Sequence, residues 1–253
     1  MTRRAFIGAG LALQAALAAP VHSQATPASS GTVVVFAAAS LTGAFQALGA
    51  EFEKSHPDLK VQFNFGGSPT LVQQIQQGAP ADVFASADEA NMKKLADSGA
   101  LAGAARPFAR NQLQIAVPAG NPKRIEALGD LTKPGLTIAL CGPTVPCGRY
   151  AAEAFSKAGV TPPAASQELD VKAVLTKVSL GEADAGIVYV TDVRAAGTKV
   201  TGVDIPESLN VIARYPIAAV KNAPSAATAA AVIDFVLSPD GQRILASFGF
   251  LPP

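Results

Sequence analysis

Short runs of β-branched and small apolar residues alternate with segments of helical period along nearly the whole chain, and this alternation restricts the fold more than any other feature. Residues 31–37 hold Val33-Val34-Val35, after which Leu41, Phe45, Leu48 and Phe52 recur at helical spacing. Over 59–65, Val61, Phe63 and Phe65 alternate with Lys60, Gln62 and Asn64; Ser68-Pro69 then opens a helix carrying Leu71, Val72 and Ile75, closed by Gly78. Val83–Ala85 reads as a short strand, and Met92 and Leu95 mark a helix ending at Gly99. Leu113, Ile115 and Val117 alternate ahead of the turn Pro118-Ala119-Gly120-Asn121-Pro122. Further strands are expected at 137–140, 185–189 and 217–220, with helices at 148–157, 171–178, 226–237 and 239–247. The pattern is that of an α/β protein whose mostly parallel sheets are covered by helices on both faces. Two lobes joined by crossing strands fit better than one wide sheet: 31–112 with 217–253 as lobe I, and 113–216 as lobe II.

The chain opens with Thr2-Arg3-Arg4-Ala5-Phe6-Ile7, an uncharged apolar run to about Ala19, and Ser23-Gln24-Ala25. Paired arginines, a short apolar stretch and a small-residue site in that order predict a twin-arginine export signal over 1–25, removed near Ala25. A flexible linker, 26–30, follows. No later stretch reaches the roughly 18 apolar residues of a membrane span. Without Arg3 and Arg4, the 20 basic residues become 18 against 19 acidic. That balance, with no basic cluster, argues against nucleic acid as a partner.

Of two histidines, His22 lies in the signal, leaving His56. A two-histidine zinc site is excluded, and a Ser-His-Asp arrangement would need His56, which sits in the polar turn Lys54-Ser55-His56-Pro57-Asp58 and reads as a solvated surface residue. No other base is at hand to activate a nucleophile, so an enzyme is not expected.

Four strand-to-helix junctions carry the chemistry instead. In Phe36-Ala37-Ala38-Ala39-Ser40-Leu41-Thr42 and in Gly66-Gly67-Ser68-Pro69-Thr70-Leu71, a serine stands where a helix begins. The first helical turn has N–H groups without internal acceptors and the positive end of the dipole, which together suit an oxyanion. Each serine could equally serve only as a helix cap. Cys141 and Cys147, the only cysteines, precede another helix; in an oxidising compartment a disulfide is expected, with a redox pair as the alternative. Asp170 is a plausible cap that places the Val171 N–H in a first turn, and Tyr189 ends a buried strand where its hydroxyl can reach a cleft or simply pack.

In this order, with Gly78-Ala79-Pro80-Ala81-Asp82-Val83-Phe84-Ala85-Ser86-Ala87-Asp88 and the ending Phe248-Gly249-Phe250, the motifs make the chain resemble the solute-binding proteins of molybdate ABC transporters. The resemblance implies the two-lobed periplasmic-binding-protein type II fold, and capture of molybdate or tungstate in the periplasm for delivery to a membrane permease. It implies a monomer with no cofactor, molybdenum being held only as its oxyanion. Ser40 and Ser68 would donate hydroxyl and main-chain N–H, Cys147 and Val171 main-chain N–H, and Tyr189 its hydroxyl. None of the five is charged, as suits a tetrahedral dianion that carries no proton and can only accept hydrogen bonds. A receptor for another oxyanion such as sulfate is the alternative. Pro69 departs from the family pattern and removes one possible N–H donor.

Overall fold

The computed structural model describes residues 31–163 and 165–253; the expected signal and the linker after it lie outside the described residues. β1 (Gly31–Ala38) is buried on both faces because its β-branched and small residues alternate between two apolar clusters. Val33, Val35 and Ala37 pack with Phe45, Leu48 and Phe52 of α1 (Thr42–Ser55). Phe36 faces the other way, onto Leu71, Val72 and Ile75 of α2 (Ser68–Gln76) and Met92 and Leu95 of α3 (Glu89–Asp97). A short 3-10 turn, Ala39–Leu41, joins β1 to α1.

β2 (Leu59–Gly66) and β3 (Val83–Ala85) flank β1, both parallel to it. β5 (Ile138–Cys141) is likewise parallel to β6 (Ser166–Glu168) and β7 (Ala185–Tyr189). Among the strands of the described residues, antiparallel pairing enters with two long ones, β4 (Arg106–Pro118) and β9 (Ile212–Ala219). β9 pairs β3, while β4 pairs β9, β7 and β8 (Val200–Asp204). β4 changes neighbours midway. Arg106 to Gln112 lie against β9, whereas Leu113 to Ala116 lie against β7. The strand order is β2-β1-β3-β9-β4-β7-β5-β6, with β8 on β4. Helices α4 (Pro146–Ala158), α5 (Val171–Ser179) and α6 (Val190–Ala196) cover the β7 half, and α7 (Ala226–Leu237) and α8 (Pro239–Ser247) return to the β1 half.

Alternation therefore locates the principal strands and helices, with three differences. The return strand expected over 217–220 begins at Ile212. β6, β8 and α6 do not stand out in the sequence: Ser166-Gln167-Glu168 has no apolar alternation, and seven residues are too few to show a helical period. His56 is half-buried, so its surface turn leaves it only partly solvated. It ends α1 with its ring stacked on Phe52 at 4.1 Å, and its Nδ1 lies 3.0 Å from the Phe52 carbonyl.

Candidate functional site

The structure brings Ser40, Ser68, Cys147, Val171 and Tyr189 together around one small cavity between the β1 and β7 halves. Its remaining lining is Ala38, Ala39, Gly66, Gly67, Ala87, Val145, Pro146 and Asp170. The cavity is small, ≈ 10 Å3, on the scale of about one water-sized occupant.

Ser40 lies in the turn that ends β1, and Ser68 is the first residue of α2. Neither caps a helix: Gly67 precedes α2, and no side-chain cap bond is formed at either turn. The hydroxyls are held otherwise. Ser68 Oγ accepts the Ala87 N–H at 3.2 Å. An amide can only donate, so the single hydroxyl proton of Ser68 remains for another acceptor. Ser40 Oγ lies 3.1 Å from the Tyr215 hydroxyl.

Across the cavity, Cys147 is the second residue of α4, after Pro146, and is tied to Cys141 at the end of β5 by a disulfide with Cα atoms 5.8 Å apart. The Cys147 N–H is thus pinned at a helix N-terminus, where it has no intrahelical acceptor. Val171 is the first residue of α5. The Asp170 carboxylate caps that helix, accepting from Lys172 N–H at 2.8 Å and Ala173 N–H at 3.0 Å. Neither bond uses the Val171 N–H. Although Asp170 borders the cavity, its charge is engaged by the start of its own helix.

Tyr189 ends β7 with 1% of its surface exposed, and its hydroxyl has no protein partner. Burial, then the neighbouring Tyr215, Tyr150 and Asp192, push its pKa well above the usual phenol value, so it stays a neutral donor. Behind it, Asp192 is fully buried. Its Oδ2 accepts the Tyr189 N–H at 3.1 Å, and its Oδ1 lies 2.9 Å from Lys172 Nζ, close enough for an ion pair though not aligned as a hydrogen bond. Burial raises the Asp192 pKa and Lys172 pulls it back. The pair ties the start of α6 to the start of α5, and so Tyr189 to Val171.

Three helices, α2, α4 and α5, begin at the cavity, each adding the positive end of its dipole. The two halves approach closely there. A Cβ on Gly67 would meet the carbonyl oxygen of Leu169, so only glycine permits this approach. Nearby, Arg149 of α4 pairs with the buried carboxylate of Asp88, which also caps α3 through the Asn91 N–H at 2.8 Å. Sequence reasoning missed this ion pair and the Tyr215 contact, since neither forms a local motif. The paired glycines of Gly66-Gly67-Ser68 are the sequence signal for the close approach at Gly67.

The model of the family described as bacterial extracellular solute-binding protein matches residues 33–251. The molybdate-binding protein ModA of Mycobacterium tuberculosis is 44% identical over 92% of this chain and 90% of its own length. Two solved structures show the same fold. The periplasmic molybdate-binding protein of Azotobacter vinelandii has a TM-score of 0.78 at 23% identity, over 87% of this chain and 99% of that one. The sulfate-binding protein SubI of M. tuberculosis has a TM-score of 0.79 at 19% identity, over 88% and 87% respectively.

Proposed function

The chain belongs to the bacterial extracellular solute-binding proteins, and from that premise we propose that it captures molybdate or tungstate and delivers the ion to the permease of an ABC transporter. One observation carries the reading: uncharged donors from several strand and helix ends line a single small cavity. Ser40, Ser68 and Tyr189 offer hydroxyls, and Ser40, Ser68, Cys147 and Val171 offer main-chain N–H groups. A tetrahedral dianion without a proton needs donors on every side, and a free carboxylate among them would repel it. The only carboxylate on the lining, Asp170, caps α5. Three helix dipoles spread the two negative charges, and exclusion of water strengthens each bond.

On this reading the lobes are 31–112 with 217–253, and 113–216, closing on the ion like a clamp. The protein works as a monomer in the periplasm, reached by the twin-arginine route, and binds without chemical conversion of its solute. The name of the molybdate-binding relative supports molybdate over sulfate, because that chain is 44% identical while the sulfate-binding neighbour shares the fold at 19%. Thermal melting of the purified protein tests the choice, since a ligand of the folded state alone raises stability by RT ln(1+[L]/Kd). Micromolar molybdate should raise Tm by several degrees. An equal rise from millimolar sulfate and none from micromolar molybdate would overturn the assignment.

A further inference from the structure

A hydroxyl can donate or accept, and a site for an aprotic anion works only if its hydroxyls are held in the donating sense. The Ala87 N–H sets that sense for Ser68. For Ser40 the neighbour is Tyr215 of β9, 175 positions away in sequence and fully buried. Its ring is gripped edge-on by Phe108, Phe250 and Tyr189, with centroids 6.1, 5.5 and 6.0 Å away, which fixes where its oxygen stands.

The direction of the Ser40–Tyr215 bond follows from the group behind it. Asn111 Oδ1 accepts the Gln112 N–H at 2.9 Å, so the amide is turned with Nδ2 inward. Nδ2 donates to Thr191 Oγ1 at 2.8 Å and reaches the Tyr215 oxygen at 3.5 Å, the long limit of a hydrogen bond. Nδ2 cannot accept. If Ser40 donated to Tyr215, the tyrosine proton would therefore face a donor and lie buried without a partner, the costlier arrangement. The tyrosine proton goes to Ser40 Oγ, and the serine proton is left for the cavity.

We infer that Tyr215, oriented by Asn111, is a positioning residue that makes Ser40 an obligate donor to the bound anion. The inference rests on the oxyanion reading of the cavity. It also supplies a rule of selection: the Ser40 position offers a proton and no acceptor, so a solute oxygen that bears its own proton finds no partner for that proton there. Neither Tyr215 nor Asn111 borders the cavity; the Tyr215 hydroxyl meets it through Ser40, while the ring packs on Tyr189.

A double-mutant cycle tests this by calorimetric titration of the full protein, Tyr215→Phe, Ser40→Ala and the double variant with molybdate, with melting curves to establish that each is folded. Tyr215→Phe keeps the gripped ring and removes the proton. It should weaken molybdate binding about 10-fold when Ser40 is present, and less than about 2-fold when Ser40 is already alanine. A loss of the same size in both backgrounds, or none in either, would overturn the role of Tyr215 while leaving the oxyanion site standing. If the unsubstituted protein bound no molybdate but bound another oxyanion, the proposed ligand would fail and the cycle, run with that anion, would still decide the role of Tyr215. Binding of no oxyanion at all would end both readings.

Discussion

On the proposed reading, the two sides of the cavity solve one problem by different means. On the β1 side, Ser40 and Ser68 present side-chain hydroxyls, each of which needs a polar neighbour to set its direction: the Ala87 N–H for one and Tyr215 for the other. On the β7 side, beside the buried hydroxyl of Tyr189, Cys147 and Val171 present main-chain N–H groups whose direction is set by the helix itself. What that side needs is rigidity, and it has the Cys141–Cys147 disulfide, the Asp170 cap and the Lys172–Asp192 pair. The difference teaches where each side is vulnerable. Hydroxyl donors are lost by changing the donor residue, whereas amide donors survive any side chain and weaken only when their anchors go.

The sharpest break in that contrast is Ser68→Ala. It deletes a donor to a charged ligand and should weaken molybdate binding about 10- to 100-fold by calorimetry. It also leaves the buried Ala87 N–H without an acceptor, so the ligand-free melting point should fall as well. Unchanged affinity would remove Ser68 from the site.

Lys172→Met probes an anchor on the other side. Asp192 has a pKa raised by burial, so it holds its proton more tightly folded than unfolded; its favourable contribution is present at acid pH and is lost as pH rises through the raised value. Removing Lys172 raises that pKa further. The variant should match the parent below about pH 3.9, where the carboxyl is protonated in both states, and trail it increasingly above. At neutral pH the deficit should be about 2 kcal/mol, less than for a fully buried pair because Lys172 is a third exposed. Binding should weaken only several-fold. A deficit independent of pH in denaturant titrations would show that the pair does not govern this helix start.

The smallest effect on binding is expected from replacing both Cys141 and Cys147 with serine. The Cys147 N–H persists, so affinity should stay within about 3-fold, while loss of the short closed loop lowers stability by roughly 2 kcal/mol. Abolished binding would mean that the sulfurs, and not the amide, matter to the solute.

The sequence makes the amide side easier to read than the orientation of the hydroxyl side. Asp170 before Val171 and Pro146-Cys147 at a helix start are local signals, because capping and first-turn geometry involve adjacent residues. Ser40 and Ser68 are visible as serines at junctions, but local pattern cannot distinguish a cap from a hydroxyl turned by a distant partner. Tyr215 in Ala213-Arg214-Tyr215-Pro216 looks like any inward residue of a strand. The Arg149–Asp88 pair was hidden for the same reason: 61 positions separate its members, and each lies within a helix-start motif of its own. The parallel strands announce themselves through apolar runs; β6, polar and three residues long, owes its place to its neighbour β5.

Among the described residues, only β4 and β9 carry the chain from one half of the sheet to the other, and they are zipped together from Arg106 to Gln112. A paired ribbon of this kind bends far more readily than it slides, so in the proposed closure it would serve as the pivot, and atoms seated on a pivot travel least. Asn111 and Tyr215 both sit there. If the two halves close on an ion as proposed, the serine beside them is already aimed before the jaws meet, and an arriving ion finds one wall prepared while the other swings in to complete its shell.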